Sequence, residues 1–198
     1  MGLILGDSPA TPLFAQSDIE DSLGRPATSQ EILRMTAVIG RLSAEFRRVS
    51  GQWVTSGHSV VSCLVKDGQV RLDQRPVTLV TSVTDNRGNS LVFTVRDQVV
   101  TLEHPHVSEV VVDYTHGFAT VPDDIRLALA DDAAQAFLTP EAVMTGVTQT
   151  SDTEGQFQSS RTYAAWAVGA GARLSPGSIS VAQSYKATRT PRSIVGRA

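Results

Sequence analysis

A single cysteine, Cys63, in 198 residues excludes an internal disulfide framework and a cysteine-based zinc site, so packing must hold the fold. Cys63 itself reads as a small buried residue on a strand. No stretch approaches the ~20 apolar residues of a membrane span. The opening MGLILGDSPATPLF lacks a basic n-region and carries too short an apolar run for a signal peptide, so an intracellular or virion setting with no membrane partner is expected. Lysine is nearly absent: only Lys66 and Lys186 interrupt the arginines, a bias we read as codon usage in a GC-rich genome. No acidic residue follows Glu154. The segment up to it carries eleven basic residues against twenty acidic ones, a net of −9, and the remainder carries Arg161, Arg173, Lys186, Arg189, Arg192 and Arg197, a net of +6. An acidic body with a basic tail points to an interaction tail directed at nucleic acid or at an acidic protein surface.

What is present is 41% hydrophobic and 19% charged, enough for one good core with an appendage. Ser17-Asp18-Ile19-Glu20 has the form of a capping box and predicts a helix over 17–23, closed by Gly24. Thr28-Ser29-Gln30-Glu31 is a second box, opening a helix over 29–50. Its apolar residues Ile32, Met35, Ile39, Leu42, Phe46 and Val49 form one stripe that serves either its own core or a neighbouring subunit. From 59 to 115 the period changes to two, with short Val- and Thr-rich runs separated by the turns Asp67-Gly68 and Asn86-Arg87-Gly88: an antiparallel sheet of short strands. Pro122 followed by Asp123 and Asp124 opens a third helix over 122–138, with Ile125, Leu129, Ala133 and Phe137 on its buried face. The pattern is α+β: three helices around a small antiparallel sheet, preceded by an extension over 1–16 and followed by a long C-terminal arm over 139–198. The arm is rich in Gly, Ser and Thr and cannot build its own core, yet holds Phe157, Tyr163, Trp166 and Tyr185, which either dock on the body or anchor a partner. Ser175-Pro176 is a helix start within it.

Chemistry is sparse. There is no nucleophile elbow, no phosphate-cradling loop and no complete dinucleotide fingerprint around Gly169-Ala170-Gly171. The acidic pairs on the third helix are accounted for by capping and solvation rather than by metal. His104-Pro105-His106 with Asp113 and His116 is the best metal-like grouping, and a metallohydrolase there is the enzyme alternative. The proline argues for a loop instead, and His58 reads as a polar loop residue. No cofactor, no metal and no enzymatic activity are expected.

The residues also carry a resemblance. Asp18-Ile19-Glu20-Asp21-Ser22-Leu23-Gly24-Arg25-Pro26-Ala27-Thr28 before a long helix, the run Leu72 to Asp85 with Gln74-Arg75-Pro76-Val77, and Tyr114-Thr115-His116-Gly117-Phe118 followed by Val121-Pro122-Asp123-Asp124-Ile125 are similar to the head-to-tail adaptors of tailed bacteriophages. The resemblance spans Phe14 to Phe137 and continues loosely through Tyr163-Ala164-Ala165-Trp166 and Leu174-Ser175-Pro176; the tail is longer and more irregular than the family pattern.

It implies a virion structural protein: a ring, normally of twelve copies, between the portal and a stopper or tail-completion protein, around a channel that passes double-stranded DNA without sequence-specific binding. On that reading Tyr163, Trp166, Tyr185, Lys186, Arg189 and Arg192 are candidates for docking on the portal or a neighbour, in an arm mobile in the free monomer. Asp123, Asp124, Asp131 and Asp132 are candidates for the channel face, chosen by charge alone. Two other readings compete: a stopper or tail-completion protein, and a DNA-binding module acting through the basic tail.

Overall fold

The computed structural model describes residues 11–103, 106–139, 149–154, 157–162 and 172–186. In chain order the elements are α1 (Gln16–Leu23), α2 (Ser29–Ser50), β1 (Gly57–Leu64), β2 (Gln69–Arg71), β3 (Val77–Asp85), β4 (Phe93–Arg96), β5 (Val99–Leu102), β6 (Glu109–His116), α3 (Asp123–Leu138), β7 (Gln149–Glu154), β8 (Phe157–Thr162) and α4 (Pro176–Ser184). The fold class is α+β, as the patterning predicts. The strands divide between two three-stranded sheets, and a hairpin and a fourth helix occupy sequence expected to be arm. The described residues form two compact units: those within Pro12–Val49 and Pro122–Ser184, and those within Ser50–Val121 with Thr11, Tyr185 and Lys186.

The helical unit follows from caps and stripes. α1 begins one residue before the expected box: the Asp18 carboxylate reaches back to the Ala15 amide at 2.7 Å, and alanine has no hydroxyl to reciprocate. Glu20, expected as the second half of that box, instead accepts from Gln16 and from the Ala27 amide. Gly24 closes the helix at φ 66°. The second box forms as predicted, with Glu31 accepting from the Thr28 amide at 2.7 Å and the Thr28 hydroxyl accepting from the Glu31 amide at 3.3 Å. Arg25 pairs with Glu31 at 2.7 Å and, first among the causes, holds that carboxyl down at about 2. The α2 stripe is buried from Met35 through Ile39 and Leu42 to Phe46, so its centre serves the chain's own core, whereas Ile32 at its start is exposed and Val49 at its end half-buried. Leu13 and Phe14 are buried too, and the Leu13 amide donates to the Ser43 hydroxyl at 3.1 Å. α3 buries Ile125, Leu129 and Ala133 as expected, and Arg34 lies over the Phe137 ring at 6.0 Å.

In the β unit one sheet has the order β1-β6-β3 and the other β2-β5-β4, all antiparallel. Strict alternation along β6 buries Val110, Val112, Tyr114 and His116 and turns Val111, Asp113 and Thr115 outward. Val70, Leu72, Val83, Val100, Leu102, Val110, Val112 and Tyr114 form one core with strands of both sheets. Cys63 packs half-buried against that core. The chain changes sheets after β3: Asp85 accepts from the Arg87 and Asn89 amides, Leu91 still donates to Val83, and from Phe93 the strand pairs with β5. Burial, before any other cause, pushes the Tyr114 phenol up to about 12.

Candidate assembly interface

Of the two courses open to the tail, docking on a partner is the expected one and packing on its own body the alternative. Residues 172–186 depart from that expectation, because they pack within the chain. Ala172, Leu174, Ser178 and Ala182 are buried. Ser175 caps α4 as its sequence predicts, its hydroxyl accepting from the Ser178 amide at 3.2 Å, with Pro176 in the first turn. The Ser178 hydroxyl donates to the Ala128 carbonyl of α3 at 3.3 Å. Further on, Arg75 donates to the carbonyls of Tyr185 at 3.1 Å and Lys186 at 2.8 Å, and the Tyr185 ring meets Phe118 edge-on with centroids 6.1 Å apart. The docking candidates Tyr185 and Lys186 are therefore held on the β unit of their own chain through backbone carbonyls. That leaves the Lys186 ammonium exposed to other partners. Tyr163, Trp166, Arg189 and Arg192 lie outside the described residues.

The four acidic candidates do not share one environment. Asp132 is buried and accepts the Ser175 amide at 3.0 Å, so its carboxylate positions α4 and is not available to a channel. Charge alone suggested an outward role, and tertiary packing supplies an inward one. Asp123 is 77% exposed and pairs with Arg126 at 2.7 Å; Arg126 also pairs with the buried Asp18 at 2.6 Å, and both carboxylates raise the arginine's pKa. Two carboxylates sharing one guanidinium leave a net charge of −1. Asp124 and Asp131 are exposed, and Asp131 accepts from the Ser22 hydroxyl of α1 at 2.8 Å.

Among the described residues the histidine grouping does not come together as a metal centre. Asp113 and His116 face opposite sides of β6, His106 is exposed, and His104 lies outside the described residues. His58 pairs with Asp113 across the outer sheet face at 2.5 Å. No cluster of three or more potential ligands occurs among the described residues. His116 instead sits inside the β unit, its Nε2 2.9 Å from the Ser59 hydroxyl and its buried Nδ1 without a hydrogen-bond partner among the described residues. Beside it lies a small depression lined by Trp53, Thr55, Gly57 and His58, with room for about one water molecule. Ser59 and His116 resemble a nucleophile-base pair only in distance, since among the described residues no third group orients the imidazole and the adjoining depression is no larger than about one water.

Burial first, then the nearby His58, pushes the His116 imidazole below its ordinary value. The unfolded chain takes up a proton on this residue below pH about 6.5, and the folded chain resists doing so until lower pH. Stability contributed by neutral His116 is thus fully present above pH about 6.5 and falls as pH drops below it. Chemical denaturation at about pH 7.5 and about pH 5.5 is expected to show this loss, and His116→Gln should reduce it. Equal pH dependence in parent and variant would count against the assignment.

The class defined by these observations is an α+β protein of one helical unit and one two-sheet β unit. No family model matches the chain, and no curated protein matches it. Among solved structures it shares its fold with a chain in the neck of a native gene transfer agent particle computed with C12 symmetry. The TM-score is 0.55 at 15% identity, covering 97% of this chain and 98% of that one. A chain in the neck of the empty particle computed with C6 symmetry aligns over the same shares at 15% identity with a TM-score of 0.56. A chain from the virion of the native particle gives 0.55, again at 15% identity and the same coverage.

Proposed function

We propose that this chain is a virion neck protein, and within the neck the head-to-tail adaptor: a non-enzymatic ring subunit beneath the portal, linking head to tail around the DNA channel. The observation that carries the reading is the shared fold over 97% of the chain with chains resolved in particle necks under C12 and C6 symmetry. The sequence segments running from Asp18 to Ile125 support it independently, since they resemble adaptors at positions with no catalytic role.

The charge distribution suits the task. DNA passing through a neck must not adhere, and an acidic body repels phosphate. Asp123, exposed and part of a net −1 cluster, is the channel-face candidate that best keeps that role. The basic residues beyond Lys186, with Tyr163 and Trp166, form the proposed docking set for the portal, where charge steers the encounter and aromatic groups supply burial.

The test is co-expression with the portal protein of the same genome, followed by electron microscopy and mass measurement. A ring of about twelve copies on the portal is the expected result, matching the symmetry at which one such neck was computed. A chain that ignores the portal and binds only tail-side proteins is a stopper or completion protein. A chain that ignores both and shifts free DNA in a salt-dependent way is a DNA-binding module.

A further inference from the structure

We propose that neighbouring copies of this chain meet through an antiparallel helix contact, the outer face of α2 in one copy lying along the outer face of α3 in the next. The inference rests on the ring reading for its closure, and on the two helix surfaces for its geometry.

On α2 the exposed face runs Leu33, Ala37, Gly40, Arg41, Ala44 and Arg48. Leu33 is 83% exposed, and a Cβ built on Gly40 would meet nothing within 4 Å, so no described residue of the same chain covers this face. On α3 the exposed face runs Asp124, Leu127, Asp131, Gln135 and Leu138, with Leu127 and Leu138 both more than half exposed. One face is basic with small residues at its centre; the other is acidic with two leucines. A glycine within a helix is unfavourable unless close approach requires it.

The spacings match as well as the signs. Arg41 and Arg48 are separated by two helical turns, as are Asp124 and Asp131, about 10.5 Å in each case. Laid antiparallel, Arg41 meets Asp131 and Arg48 meets Asp124. The same register sets Leu33 against Leu138, Ala37 against Gln135, and Leu127 over Ala44. The contact joins two different surfaces of the chain, so it is heterologous and closes into a ring when the rotation between copies divides a full turn. It assigns Asp124 and Asp131 to the contact between subunits instead of the channel.

Reciprocal charge reversal tests the pairing. Arg41→Glu/Arg48→Glu makes the α2 face acidic, and Asp124→Lys/Asp131→Lys makes the α3 face basic. Each variant, assayed by native mass spectrometry with the portal, should lose self-association by about 100-fold or more, because like charges then face each other. Their equimolar mixture should restore assembly, alternating around the ring. Either variant assembling alone like the parent, or two folded variants failing to rescue each other, overturns the contact and leaves the adaptor reading in place. A parent chain that stays monomeric even with the portal overturns both. A variant that fails to fold leaves the decision to a second measurement. On a Cys63→Ser background, Ala37→Cys and Gln135→Cys chains mixed under oxidation should give a disulfide-linked heterodimer, and no cross-link there overturns the contact.

Discussion

Replacing Phe46 by alanine is expected to destabilise the chain by about 3–5 kcal/mol, the range for removing a buried aromatic ring from a close-packed core. Phe46 is fully buried, as is Leu42 one turn before it, and both lie on the face of α2 that carries Met35 and Ile39. Helices do not collapse readily into a vacancy of that size, so most of the lost contact remains lost. Leu42→Ala should cost about 2–5 kcal/mol, and Ile39→Ala less within that range, because Ile39 retains 8% exposure. Urea unfolding of the isolated chain measures all three. If Phe46→Ala and Leu42→Ala both unfold at the parent's midpoint, the stripe is not the core of the single chain.

Gly117→Ala is expected to cost about 3 kcal/mol or more and to act on the β unit. Gly117 has φ +87°, and a Cβ added there would lie 2.2 Å from the Thr55 carbonyl oxygen and 2.6 Å from its carbon. Both atoms are backbone, so no rotamer change relieves the overlap. Around this point the Gly117 amide donates to Pro76 at 2.9 Å, Phe118 donates to Val54 at 2.8 Å, and Ser56 donates to Phe118 at 3.0 Å. Separating residues 54–56 from residues 117–118 far enough for a methyl group strains the two bonds that join them. Thermal melting of Gly117→Ala beside Gly88→Ala separates the two costs. Gly88 also has positive φ but has nothing within 4 Å of its added Cβ, so it should show only the backbone strain. Equal losses in the two variants would remove the steric argument.

Much of the fold was legible because one periodicity dominated each stretch. The spacing of Met35, Ile39, Leu42 and Phe46 is helical, and all four are buried together. β2, β3, β5 and β6, starting at Gln69, Val77, Val99 and Glu109, all fall in the stretch where the period changes to two. Ser175-Pro176 announced α4 through local chemistry alone. The β7–β8 hairpin was missed for a complementary reason: Gln-Thr-Ser-Asp-Thr-Glu pairs with Phe-Gln-Ser-Ser-Arg-Thr, which has almost no apolar alternation to read. Its register is carried by backbone pairing, to which composition is nearly blind.

The candidate site was less legible, because charge in a sequence says nothing of direction. Asp131 and Asp132 are adjacent and chemically identical, yet one is exposed and the other is buried beneath the start of α4. Tyr185 looked like an anchor for a partner, and Arg75, 110 residues away in sequence, takes its carbonyl instead. Local sequence specified the helices, most of the strands, the caps of α2 and α4, the α+β class and the separation of acidic body from basic tail. All of these are set by residues within a few positions of one another. The division of the strands into two sheets, the burial of His116 against Ser59 and the choice of which carboxylates stay outside come from long-range packing. Those outcomes depend on contacts between residues far apart in the chain, and the free energy of such a contact exists only once packing has brought its members together.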